Sequence, residues 1–185
     1  MDLRCCAIVA LSLAGCAPAR APHSFSGQFL GTDGTTHTVA DPGARLTVIE
    51  FFAARCPCQA KHDARLIALA KRYGERGVSF FAIDSELDAS LSRDRAEAAR
   101  RGYPYPILLD PEGTAARAMK ADYATYSLLI DHNGKVLFRG GIDSDRNHLT
   151  DDATPYLARA LEQALAEQAI SLPEAKTLGC SLTLR

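Results

Sequence analysis

Apolar positions along the chain change their period several times, and each change marks an element. Residues 45 to 53, Arg-Leu-Thr-Val-Ile-Glu-Phe-Phe-Ala, are apolar nearly throughout and rich in β-branched and aromatic side chains, the pattern of a strand covered on both faces. From 59 to 73 the period lengthens: Leu66, Ile67, Ala70 and Tyr73 recur at helical spacing, and Gly74 and Gly77 mark the exit. Residues 78 to 83 return to a buried-strand run, which completes a βαβ unit with parallel strands and a right-handed crossover. Ahead of it, Gly-Thr-Asp-Gly at 31 to 34 predicts a hairpin over residues 25 to 40. Behind it, Ser92 is placed to cap a helix to Arg101, which Gly102 and the Tyr-Pro-Tyr-Pro at 103 to 106 bring to an end. A short strand at 107 to 109 and a short helix at 113 to 121 follow, and then a hairpin turns through Asn133-Gly134 between runs 127 to 130 and 135 to 138. Thr154 and Pro155 open a last helix carrying Leu157, Leu161 and Leu165 on one face, while residues 172 to 185 show no period. The order predicts an α/β protein: a central mixed β-sheet flanked by helices, with an N-terminal β-hairpin and an inserted helix.

The opening residues obey a different logic. Arg4, an apolar run from Cys5 to Leu13, then Ala14 and Gly15 give the charged, apolar and small-residue layout of a secretory signal. Leu13-Ala14-Gly15-Cys16 resembles a bacterial lipobox, whose cysteine is acylated and becomes the first mature residue. The expectation is therefore a signal peptide over 1–15, lipidation at Cys16 and a Pro- and Ala-rich tether over 16–24. One domain follows over 25–170, and a tail over 171–185 carries Cys180. Such a chain works outside the cytoplasm, facing the periplasm or cell exterior, held to a membrane by its lipid, in a compartment where disulfides persist. Composition agrees with a single domain, read as a monomer. The 185 residues hold 21 Lys and Arg against 22 Asp and Glu, a net charge of -1 with no basic block, so nucleic acid is excluded as a partner. At 47% hydrophobic positions the chain is too apolar to be disordered, yet no run reaches the ~18 to 20 residues of a spanning helix.

Outside the leader, three cysteines remain: Cys56, Cys58 and Cys180. Cys56-Pro57-Cys58 stands where the buried strand gives way to the helix, and a helix N-terminus offers free N–H groups and positive potential that favour a thiolate. Arg55 adds a formal positive charge. Two thiols at such a junction point to redox or metal chemistry.

The segment Phe51-Phe52-Ala53-Ala54-Arg55-Cys56-Pro57-Cys58 resembles the active-site strand and turn of thioredoxin-like proteins, Phe-Trp-Ala-x-Trp-Cys-x-x-Cys. Phe-Leu-Gly-Thr-Asp-Gly at 29–34 and Gly-Val-Ser-Phe-Phe-Ala-Ile-Asp at 77–84 are similar to the extracytoplasmic redoxin branch, which includes cytochrome-maturation reductases and AhpC/TSA-type proteins. Over residues 25 to 168 the resemblance implies a thioredoxin fold and a thiol-disulfide oxidoreductase acting on protein or small-molecule disulfides without a cofactor. It implies Cys56 as nucleophile, Cys58 as resolving thiol, and Glu50 as a buried acid that moves protons; otherwise Glu50 is a charge at a strand edge. Arg55, Pro57 and Thr125 are the substrate-facing candidates.

The sequence also departs from the family pattern. Residues two apart on a helix point to nearly opposite sides, so a Cys56–Cys58 bond needs a non-helical turn, and Cys180, preceded by Gly179, is the other candidate resolving thiol. Thr125 stands where thioredoxins carry a cis-proline. Ile49 and Ala53 stand where peroxiredoxins carry Pro and Thr, which makes thiol peroxidase a minor alternative. The larger alternative is a Sco-like copper protein with Cys56, Cys58 and His62 as ligands, His62 lying four residues after Cys58; His132 and His148 are further loop candidates. Without a metal, His62 reads as a surface helix residue.

Overall fold

The computed structural model describes residues 23–176 and 179–185. The expected signal peptide, Cys16 and most of the tether lie outside the described residues. A small antiparallel hairpin, β1 (Gln28–Leu30) with β2 (Thr36–Thr38), precedes the βαβ unit of β3 (Leu46–Phe52), α1 (Pro57–Gly74) and β4 (Val78–Asp84). Then come α2 (Leu91–Arg101), β5 (Ile107–Leu109), α3 (Thr114–Met119), the hairpin β6 (Tyr126–Asp131) and β7 (Val136–Gly141), α4 (Tyr156–Leu165) and β8 (Glu174–Ala175). Six strands form one mixed sheet in the order β5-β4-β3-β6-β7-β8. β3 runs parallel to β4 and antiparallel to β6, so it is the middle of the sheet.

That position explains its composition. All seven β3 residues are buried, and their alternation feeds two cores. Leu46, Val48 and Phe52 pack with Leu66, Ala70 and Tyr73 of α1 and with Leu157, Leu161 and Leu165 of α4. Ile49 and Phe51 face the opposite side, against Ala115, Ala116 and Met119 of α3 and Phe25 and Val39 near the N-terminal hairpin. Helices thus cover both faces of the sheet, which is the thioredoxin-like layering. Glu50 shares the α1 side of β3, and α1 is anchored there by a stripe of buried residues, Cys58, His62, Leu66, Ala70 and Tyr73.

Two boundaries and one strand differ from the sequence expectation. Ser92 lies inside α2 rather than capping it: Ser90 is the extended residue at the start (φ -153°), and its carbonyl accepts the Asp94 N–H, so the first turn begins two residues earlier. Likewise α4 starts at Tyr156, with Pro155 just outside. The strand β8 has no counterpart in the pattern because two residues are too few to show a period. It pairs in parallel with β7 through Arg139–Glu174 and Gly140–Ala175. A Cβ at Gly140, which has φ +139°, would stand 1.9 Å from the Ala175 carbonyl oxygen, so only glycine lets the two strands meet. Among the described residues, no helix is long and apolar enough to cross a membrane.

Candidate active site

Cys56 is the N-cap of α1. Its backbone is extended (φ -82°, ψ 118°), Pro57 occupies the first turn, where its missing N–H costs nothing, and the Cys56 sulfur accepts the Gln59 N–H at 3.4 Å. Negative charge on this sulfur is stabilised by that N–H and by the positive end of the helix, as a nucleophilic thiolate requires. Arg55 and Pro57 flank it at the surface. The Arg55 side chain is 78% exposed and reaches Asp88 at 2.9 Å.

Because α1 is helical from Pro57 onward, Cys58 turns away from Cys56, and the bond forms elsewhere: Cys56 is joined to Cys180, with 5.7 Å between their Cα atoms. Cys58 stays a buried free thiol, and its Sγ donates to Asn147 Oδ1 at 2.7 Å. All three sulfurs nevertheless lie within 4.8 Å of one another, packed with Ala53, Ala124 and the partly buried Leu182.

The tail reaches Cys56 along a defined track. The Ala124 N–H donates to the Cys180 carbonyl at 2.8 Å, the Leu182 N–H donates to the Asp122 carbonyl at 3.0 Å, and Tyr123 and Ser181 form an antiparallel bridge. Farther on, the Leu87 N–H donates to the Thr183 carbonyl at 2.7 Å, and Arg185 meets Glu112 at 2.9 Å. Gly179 is what permits this approach, since a Cβ there would stand 1.9 Å from the Ala124 carbonyl oxygen. Thr125, the candidate substrate-facing residue, is buried beside this track at 4% exposure. It has φ +70° and a trans peptide bond, and its N–H donates to the Phe51 carbonyl at 2.9 Å. Gly179→Ala is therefore expected to dislodge the tail. Weakening hydrogen bonds worth ~1–3 kcal/mol makes the Cys56–Cys180 bond about tenfold easier for dithiothreitol to reduce. Alkylation and mass measurement at timed intervals check this, and an unchanged rate would show that the close approach is immaterial.

Glu50 lies under α1 at 1% exposure, and neither carboxylate oxygen has a hydrogen-bond partner among the described residues. Burial pushes its carboxyl up to about 8; Asp63 adds to the rise, while Gln59 and Arg101 oppose it. It is a buried, mid-sheet acid and not a charge at a strand edge. A polar group roofs this region: Gln59 Nε2 donates to Tyr103 Oη at 3.2 Å, Tyr103 Oη donates to Asp63, and Arg101 pairs with Asp63 at 2.7 Å.

His62 is a further correction. It is 3% exposed and not a surface residue. Its Nδ1 lies 2.8 Å from the Cys58 carbonyl and its Nε2 lies 3.3 Å from Asp143. Both ring nitrogens are thus engaged away from the sulfurs, and Cys180, not His62, joins the two cysteines. Burial pulls the His62 pKa down, but Asp143 and the Cys58 carbonyl outweigh it and leave it raised. Arg65 completes the clasp through Asp143 at 2.6 Å and Asp145 at 2.9 Å. Together these pairs hold the loop after β7 that presents Asn147 to Cys58. His132 and His148 are exposed loop residues. Asn147, Asp143 and Asp63 had no sequence signal, since isolated polar loop and helix residues carry no pattern. Tyr103 was visible only as part of a helix stop.

Comparison with curated proteins gives no match. Among solved structures, the fold is shared with a hypothetical protein from Sinorhizobium meliloti 1021 (TM-score 0.80, 22% identity, covering 91% of this chain and 96% of that one). It is also shared with an uncharacterized conserved protein from Geobacillus kaustophilus (TM-score 0.79, 25% identity, 89% and 92% covered). The thioredoxin domain of a thiol-disulfide oxidoreductase from Bacteroides vulgatus is similar over 66% of this chain and 89% of its own length (TM-score 0.57, 13% identity). The Redoxin family model matches residues 17–154, and this match, with paired cysteines at the head of α1, supports oxidoreductase activity. Layering, cysteine placement and family match agree, and the chain belongs to the redoxin family.

Proposed function

We propose that the protein is a thiol-disulfide oxidoreductase tethered outside the cytoplasm by a lipid on Cys16, acting as a monomer on protein or small-molecule disulfides and needing no cofactor. The observation that carries the reading is the Cys56–Cys180 bond at the N-terminus of α1, with the Cys58 thiol beside it. In the reduced protein the Cys56 thiolate attacks one sulfur of a substrate disulfide. The S–S bond breaks, one substrate thiolate leaves, and a mixed disulfide remains on Cys56. The Cys180 thiolate then attacks the Cys56 sulfur, releasing the second substrate thiolate and forming Cys56–Cys180. The substrate has gained the two electrons that the protein has lost, and an external dithiol reductant restores the starting state. Each thiol must lose a proton before it attacks and each released thiolate must regain one. Glu50, with a carboxyl held near neutrality, is suited to exchange those protons.

Location rests on the leader: the signal layout of residues 1–15 and the lipobox ending at Cys16. Cys16→Ala should move the protein from the membrane to the soluble fraction of the producing bacterium.

The mechanism is tested by insulin reduction with dithiothreitol as donor. Cys56→Ser is expected to abolish catalysis, and Cys180→Ser to accumulate a mixed disulfide that mass spectrometry locates on Cys56. Full activity in Cys56→Ser would overturn the reading, while trapping in Cys58→Ser instead would make Cys58 the resolving thiol.

A further inference from the structure

We propose that the reduced protein holds one Cu(I) ion on the three thiolates of Cys56, Cys58 and Cys180. The proposal stands on geometry and does not depend on the oxidoreductase reading. The three sulfurs, drawn from the head of α1 and from the tail, lie within 4.8 Å of one another. Metal–thiolate bonds of ~2.3 Å place three in-plane donors ~4.0 Å apart, so a small separation of Cys56 from Cys180 on reduction opens a site of the right size. The donor set selects the ion. Thiolate sulfur is soft and suits Cu(I), which is content with three ligands, whereas Zn(II) in a structural site takes four. No fourth His, Cys, Asp or Glu joins the cluster among the described residues, and both His62 nitrogens are turned to the Cys58 carbonyl and Asp143.

The surroundings fit the same ion. Ala53, Ala124 and Leu182 pack apolar surface against the sulfurs, with Cys56 and Cys58 buried and Cys180 half-buried, which lowers the exposure of a Cu(I) centre to water. The Gln59 N–H on the Cys56 sulfur and the positive end of α1 offset part of the net charge of three thiolates around one cation. Binding is a ligand exchange without electron transfer: three S–H bonds give three protons to solvent, three sulfur–copper bonds form, and copper stays Cu(I). Oxidation of Cys56 and Cys180 to their disulfide removes two of the three donors, so the site exists only in the reduced protein.

The test uses the full chain with Cys5, Cys6 and Cys16 changed to serine, so that only the three thiols of interest remain. The reduced protein is loaded anaerobically with Cu(I), desalted, and analysed for copper, protein and the near-ultraviolet thiolate-to-copper band. One copper per chain is expected. The Cys56–Cys180-oxidised form should retain none, and Cys58→Ser and Cys180→Ser should each bind about tenfold more weakly or worse in competition with a Cu(I) chelator. Far-ultraviolet circular dichroism confirms that each variant is folded. Absence of copper from the reduced chain would overturn the proposal. So would equal affinity in Cys180→Ser, or preference for Zn(II) when the two ions compete. Insulin reduction by the same metal-free samples separates failure of this site from failure of the redox mechanism.

Discussion

Reducing the Cys56–Cys180 disulfide is expected to lower the unfolding free energy by about 2–5 kcal/mol. The bond links residues 124 positions apart, and closing so long a loop removes much of the entropy of the unfolded chain. With an unfolding slope of ~2 kcal/mol per M, the urea midpoint should fall by ~1–2.5 M. Cys180→Ser should show the same fall without reductant, and adding reductant to it should change little. In the folded state the tail is also held by β8, the Tyr123–Ser181 bridge, the Ala124–Cys180 and Leu182–Asp122 hydrogen bonds and the pairings of Thr183 and Arg185, so it stays in place when the bond is cut. Most of the effect therefore lies in the unfolded state. An unchanged midpoint would mean that the tail and the head of α1 stay close in the unfolded chain without the bond.

Glu50→Gln is expected to raise stability at alkaline pH and leave it nearly unchanged at pH 5. In the folded protein burial holds the carboxyl up to about 8, against an ordinary value of 4.5. Between those values the folded chain keeps a proton that the unfolded chain releases, so stability falls as pH rises through the window and levels off above it. For a fully buried group the accumulated cost is of order 4 kcal/mol by pH 8.5. Glutamine fills the same space and cannot ionise. The variant should therefore melt roughly 8–16 °C above the parent at pH 8.5. His62 is raised as well, and its contribution is lost as pH rises above its folded value. Asp84, pushed up to about 8 first by burial and then by Asp94, loses stability in the same direction as Glu50. The difference between variant and parent, rather than either curve alone, therefore isolates Glu50. Equal melting temperatures across pH 5 to 8.5 would show that Glu50 ionises freely in the folded state.

Much of the frame was legible because continuous burial leaves a strong mark. β3 and β4 are apolar runs since helices cover both faces of the sheet, and α1 shows its buried stripe in the spacing of Leu66, Ala70 and Tyr73. The cysteines at the head of α1 stood out because a helix start after a buried strand is a chemically distinct place. What stayed hidden depends on pairings between distant segments. Cys-x-Cys spacing disfavoured a Cys56–Cys58 bond, but nothing in residues 172–185 reveals that the tail runs beside Ala124, apart from the permissive Gly179. Asn147 on Cys58 and Asp143 on His62 arise from a loop whose placement is set by Arg65. The burial of His62 was hidden in the sequence because its partner lies 81 residues away.

The small strand β8 governs how far Cys180 can travel once its bond is cut. Ala175 is fixed against Gly140, and only five residue steps separate it from Cys180. At ~3.3–3.6 Å per residue, the Cys180 Cα cannot stray more than ~18 Å from that anchorage. A short leash of this kind keeps the effective concentration of Cys180 around Cys56 in the millimolar range. In the proposed cycle, a mixed disulfide on Cys56 therefore meets its own chain's thiol far more often than a free thiol at micromolar concentration, which gives the tail control over the lifetime of that intermediate.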